Sequence, residues 1–98
     1  MNTACRCGAR PLFELGSVLI SPEAHARLLK EGVQLIEVLW LHVTGQWGIK
    51  DHAANQTAVR SGTLVLSVFA SDDGDVVVAT DAARTTTVVD LKDSFRPE

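Results

Sequence analysis

Residues 63–91 read TLVLSVFASDDGDVVVATDAARTTTVVDL, and this stretch does most to restrict the fold. Three segments, TLVLSVFA, VVVAT and TTTVVDL, are rich in β-branched residues that suit a pleated surface. Within the first, Leu64, Leu66, Val68 and Ala70 share one face, and Thr63, Val65, Ser67 and Phe69 share the other. The intervening SDDGD is turn chemistry in which Gly74 is free to take a positive φ, and DAAR makes a second short connection. Successive strands with short connections predict an antiparallel meander.

The first half of the chain has a different period. Ser21-Pro22 is a strong helix start: the serine side chain accepts from first-turn amides, and proline loses nothing at a position whose amide has no helical partner. Glu23 adds negative charge near the positive helix end, and Gly32 is placed to end the helix after residue 31. Residues 33–43, VQLIEVLWLHV, are apolar enough for a buried strand. They exceed the usual strand length, however, and Gln34, Glu37 and Leu41 fall on one helical stripe, so a second, mostly buried helix is predicted, stopping at Thr44-Gly45. Residues 51–60 form a weaker third helical segment that stops at Ser61-Gly62. The predicted class is α+β: two to three N-terminal helices packed on one face of a C-terminal antiparallel sheet, with residues 16–20 (GSVLI) available as a fourth strand. Residues 12–91 make a single domain between a flexible leader (1–11) and a polar tail (92–98).

Composition bounds the function. A chain of 98 residues that is 46% hydrophobic has more apolar material than a small interior readily hides, which leads us to expect a homodimer. Nine basic against twelve acidic residues give a net charge of −3 with no basic block, so general nucleic-acid binding is not expected. The apolar run around residues 33–43 is interrupted by Gln34 and Glu37 and is too short for a membrane span, and the N-terminus has no signal-peptide core. Both cysteines sit in Cys5-Arg6-Cys7 with no second pair at zinc spacing, which reads as two reduced thiols in a cytoplasmic protein. His25, His42 and His52 share no metal-ligand spacing, and no nucleotide, hydrolase or metalloprotease motif is present; neither a metal nor a cofactor is expected.

The candidate functional residues fall in three places. HVTGQWG, residues 42–48, follows the second predicted helix. There His42 serves as a cation at the helix C-terminus or ties the helix to the following loop, and its functional alternative is a general acid or base near neutral pH. Gly45 and Gly48 permit sharp turning, and Trp47 either caps the core or stacks on a partner. Asn55 and Gln56 offer side-chain amides that tie the middle segment to the sheet. Arg84 is either a solvated turn residue or an anion anchor beside the hydroxyls of Thr85, Thr86 and Thr87.

Taken in order, LGSVLISPEA, HVTGQWG, Asn55, SGTLVLSVF and ATDAARTTTVV resemble a family of small uncharacterised proteins, labelled plasmid-related, carried by plasmids and other mobile elements. The resemblance covers residues 15–90 and implies a genomic setting but no reaction. Where the family pattern reads HxxGDWG this chain has Gln46, and where it reads TEADR this chain has Ala83 before Arg84. Both differences remove a carboxylate, which argues against a chemistry built on an obligatory aspartate. The expected function is therefore that of a non-enzymatic accessory protein that binds an unknown protein partner through an apolar surface and its TTT strand, with Trp47, Asn55, Arg84, Thr85 and Thr87 as binding residues. The alternative is a small metal-independent ribonuclease, similar in outline to toxin folds of the barnase and RelE types, with His42, Arg60, Arg84 and Thr86 as candidate catalytic residues.

Overall fold

The computed structural model describes residues 11–47, 49–70, 74–93 and 95. The leader ahead of Pro11, both cysteines, Gly48, residues 71–73 of the SDDGD turn, Ser94 and residues 96–98 of the tail lie outside the described residues. Seven elements follow in order: β1 (Ser17–Ile20), α1 (Pro22–Glu31), α2 (Leu35–Val43), α3 (Ile49–Ser61), β2 (Val65–Phe69), β3 (Val76–Thr80) and β4 (Thr86–Leu91). The fold is α+β, with the helices in the N-terminal half and the strands largely in the C-terminal half.

The sheet has the order β1-β4-β3-β2. β2, β3 and β4 form the antiparallel meander expected from their short connections. β1 supplies the fourth strand and pairs parallel to β4, so the sheet is mixed rather than purely antiparallel. No hairpin joins β1 to β4. Three helices and two strands intervene, and the antiparallel constraint that a short turn imposes does not apply.

Local signals explain the helix limits. Ser21 has extended backbone, and its Oγ accepts from the Ala24 amide at 3.0 Å while its hydroxyl donates to Asp90 Oδ1 at 2.8 Å, joining the start of α1 to β4. Gly32 closes α1 in the left-handed conformation, φ 72°. α2 begins at Leu35, two residues after the apolar run starts, because Gln34 takes the N-cap position and its amide donates to Glu37 Oε1 at 2.9 Å.

α1 packs on β4, α2 on β3 and α3 on β2, all on one face of the sheet. That face carries Val18 and Ile20 of β1, Val89 and Leu91 of β4, Val76 and Val78 of β3, and Val65 and Phe69 of β2. Ala24, Leu28, Val38 and Leu39 from the first two helices fill the larger part of the core; Trp47, Ala58 and Val65, with Phe13 and Val59, fill the smaller part under α3. Val65 and Ser67 are the buried alternation of β2, so Val65, Ser67 and Phe69 are its core-side set and Leu64 is exposed. Three core-face positions of the sheet are not apolar. They are Ser67 on β2 and, directly paired across β3 and β4, Thr80 and Thr87, all three buried.

Gly16, just before β1, has φ 67°, and a Cβ there would lie 2.2 Å from the carbonyl carbon and oxygen of Thr85. Gly32 has a similar φ, yet nothing lies within 4 Å of its would-be Cβ. Alanine at Gly32 meets the left-handed penalty alone, about 1 kcal/mol, whereas alanine at Gly16 adds a backbone collision and is expected to destabilise by about 3 kcal/mol or more. Urea unfolding of the two variants checks that ordering.

Candidate functional site

HVTGQWG leads away from a helix whose last four carbonyl groups have no helical acceptor role to fill. Each finds a donor. The Trp40 carbonyl receives the Thr44 amide at 3.0 Å and the Thr44 hydroxyl at 2.6 Å, and the Leu41 carbonyl receives the Gln46 amide at 2.9 Å. The His42 carbonyl receives the Trp47 indole N–H at 2.9 Å, and the Val43 carbonyl receives the Leu12 amide at 2.8 Å. Gly45, at φ 83°, lets the chain fold back so that Trp47 reaches its carbonyl. Trp47 is buried, so its ring fills the core under α3 and the indole nitrogen closes α2.

The side chain of His42 points from α2 into the sheet and is 0% exposed. Its Nδ1 lies 2.5 Å from Ser67 Oγ on β2, and its Nε2 lies 2.9 Å from Thr80 Oγ1 on β3. Thr80 Oγ1 is in turn 2.7 Å from Thr87 Oγ1 on β4, and the Thr87 hydroxyl donates to the Leu15 carbonyl at 2.7 Å. The last bond sets the order of every proton in the chain. A carbonyl only accepts, so the Thr87 hydrogen is committed to Leu15, and Thr80 must donate to Thr87. Thr80 then accepts from His42 Nε2–H. The order of protons thus places a hydrogen on Nε2, and in the neutral ring Nδ1 is left as the acceptor for the Ser67 hydroxyl.

Its surroundings keep it neutral. Burial, with a smaller contribution from the Arg84 guanidinium, lowers the imidazole from 6.5 to about 4. The edge-on Phe13 ring, with centroids 5.2 Å apart, covers it on one side. The helix-end cation expected of His42 is thus replaced by an uncharged pin. It ties α2 to the sheet rather than to the loop that follows it, because a desolvated charge is costly here while a neutral ring finds two partners. Among the described residues, no buried side-chain nitrogen or oxygen lacks a partner.

Arg84 closes the far side. It has φ 60°, and its guanidinium donates to the carbonyls of Thr63 at 2.7 Å, Asp81 at 2.9 Å and Ala58 at 3.1 Å while lying 5.3 Å from the centroid of Phe13. It is not merely a solvated turn residue: three of its donors hold the end of α3 and the β3–β4 turn together. The Thr85 hydroxyl donates to Asp81 Oδ2 at 2.7 Å, and the amides of Thr85 and Thr86 donate to Asp81 Oδ1. These bonds, the Thr85 hydroxyl foremost, hold the Asp81 carboxylate below its ordinary range. Asn55 faces the outer edge of β2, where its Nδ2 donates to the Leu66 carbonyl at 2.7 Å and its Oδ1 accepts from the Leu66 amide at 3.1 Å. That amide pair does for β2 what a neighbouring strand would do.

No protein-family model, curated protein or solved structure matches the chain.

The geometry brings some of the candidate residues together and separates others. His42 and Thr87 belong to one buried chain, joined by Ser67 and Thr80, which the sequence reading did not single out. Arg84 reaches this group through Phe13. Trp47 and Asn55 occupy the helix closure and the strand edge. Thr85 sits in the exposed turn, Thr86 has its amide on Asp81, and Arg60 is exposed in the last turn of α3. β4, which carries the TTT run, is an inner strand flanked by β1 and β3, so it has no open edge for a partner. Among the described residues no three His, Cys, Asp or Glu side chains gather as a metal site, and no helix is long and apolar enough to cross a membrane.

Two stability measurements test this geometry. Thr87→Val strands two groups, the Thr80 hydroxyl and the Leu15 carbonyl, whereas Ser67→Ala strands only Nδ1 of His42. With each orphan worth about 1–3 kcal/mol, denaturant unfolding at pH 7 should show the larger loss for Thr87→Val. The second concerns pH. The folded chain keeps His42 neutral down to about pH 4, while the unfolded chain protonates it at its ordinary 6.5, so the unfolded state takes up more protons between those values. The corresponding stability is fully present above about pH 6.5 and declines by about 3 kcal/mol as the pH falls toward 4. A His42→Gln variant, less stable at pH 7, should lose this dependence.

Proposed function

We propose that this chain acts by binding another protein rather than by catalysis, as an accessory protein of a mobile element. The genomic setting rests on the resemblance of residues 15–90 to the plasmid-related family. The binding reading rests on one observation: the polar groups that would do chemistry are spent inside the fold, while the groups left facing outward at the α1–α2 corner are apolar. His42, the general base that a metal-independent ribonuclease would need, is 0% exposed with both ring nitrogens bonded, so RNA has no route to it.

At the α1–α2 corner Leu29 is 68% exposed and Ile36 64%, with Val33 between them in sequence. Leu29 and Val33 line a groove of about 350 Å³ together with His25, Leu28, Gln34 and Leu35, and Ile36 follows this lining in the chain. An apolar groove between two helices suits the apolar face of a partner helix. Exposed apolar side chains of this size on a small domain are a common mark of a contact surface.

The Leu29→Glu, Ile36→Glu double variant tests the reading. Both side chains are exposed, so the fold should retain its stability to within about 1 kcal/mol, and a host protein retained by the immobilised wild-type chain should no longer be retained. RNA cleavage by the purified chain that disappears in a His42→Ala variant, with no protein retained, would overturn it.

A further inference from the structure

The two outer strands of the sheet differ in how their backbone is used. At β2, Asn55 satisfies both the amide and the carbonyl of Leu66, so that edge is capped at this residue. At β1 the ladder to β4 uses alternate residues: the Ser17 amide donates to the Thr85 carbonyl at 2.9 Å and the Ser21 amide to the Val89 carbonyl at 3.0 Å. In a parallel ladder the odd-numbered residues therefore turn their amides and carbonyls toward β4, and the even ones, Val18 and Ile20, turn theirs outward. Among the described residues no strand pairs with that edge. The strand SVLI carries no charge and no proline, the devices by which sheets usually blunt an open edge. Its one side chain on the helix-free face besides Ser17 is Leu19, 58% exposed.

We infer that β1 pairs antiparallel with β1 of a second copy of this chain, about a two-fold axis through Leu19, to give a continuous eight-stranded sheet. This register is singled out by the two outward residues. Val18 opposite Ile20 of the other copy, and Ile20 opposite its Val18, make two hydrogen-bonded pairs, each exchanging an amide and a carbonyl bond. Leu19 then faces its own counterpart in the closer, non-hydrogen-bonded position, where cross-strand apolar side chains meet. On the same face Leu19, Val88, Ala79 and Leu66 lie in one row across the four strands, and the two-fold continues that row into the second copy. Charge does not oppose the pairing, because none of the four residues Ser17–Ile20 that would be paired is charged. The interface is isologous, as two-fold pairing requires. It is small, which places it among concentration-dependent rather than permanent dimers.

The test is sedimentation equilibrium of the full chain over a range of concentrations, together with amide hydrogen exchange read residue by residue. The expected result is a mass that doubles with concentration, accompanied by slowing of exchange at Val18 and Ile20. Leu19→Lys, a change at an exposed position, should keep the wild-type melting curve, remain monomeric, and show fast exchange at those two amides at every concentration. A monomer throughout the range would overturn the inference. So would a dimer that persists in Leu19→Lys, or protection of Val18 and Ile20 that is already complete in the monomer, which would mean that another part of the same chain covers the edge. These outcomes differ from failure at the α1–α2 corner, because Leu29→Glu, Ile36→Glu leaves the β1 backbone untouched.

Discussion

A fully buried imidazole is tolerated only if both ring nitrogens are bonded, because each polar group left without a partner in an apolar interior costs about 1–3 kcal/mol. In this protein the requirement organises the core. The path from Ser67 through His42, Thr80 and Thr87 to the Leu15 carbonyl touches β2, α2, β3, β4 and the segment that leads into β1. Every link depends on the sheet register. A one-residue slip of β4 against β3 would turn Thr87 to the opposite face, strand the Thr80 hydroxyl and leave Leu15 without a donor. Apolar side chains in the same positions would pack without demanding one alignment, so the buried polar path adds specificity that valines alone do not supply.

The rest of the fold extends the same device to places where a small core is thin. Trp47 and Leu12 close the exit of α2, Arg84 gathers three carbonyl groups from α3 and the turns beside it, Asn55 finishes the edge of β2, and Ser21 links α1 to β4. Side chains that in another setting would bind an anion, stack on a base or abstract a proton are committed here to the backbone and to one another. At the helical corner, by contrast, Leu29 and Ile36 are large side chains that the interior does not use.

Much of this architecture was legible in the sequence. Ser21, Pro22 and Gly32 delimit α1 by local chemistry alone, and the β-branched runs separated by short polar turns give the meander. Less could be read where distant elements meet. The parallel pairing of β1 depends on a contact between residues 17–20 and 86–89, for which no local pattern exists. The helix running into HVTGQWG was visible, but the inward face of β2 was set by where α3 lands. Threonine is common in strands whether its hydroxyl faces water or the core, so TTTVV alone does not distinguish Thr87, which is buried, from Thr85, which is exposed. One signal was available: Ser67, Thr80 and Thr87 all fall on core-side positions of their strands while an apolar helix carries a histidine, and buried hydroxyls then become the natural partners of that ring.

The claim on which this account depends is that His42 is a neutral Nε2–H imidazole held between two hydroxyl groups. Nitrogen-15 NMR of the labelled imidazoles, followed from pH 8 to pH 5, tests it directly. The account predicts that His42 shows one tautomer, with Nε2 protonated and Nδ1 in the range of a hydrogen-bonded acceptor, and that its shifts stay constant over that interval. A mixture of tautomers, or a titration centred near the ordinary histidine value of about 6.5, would contradict it.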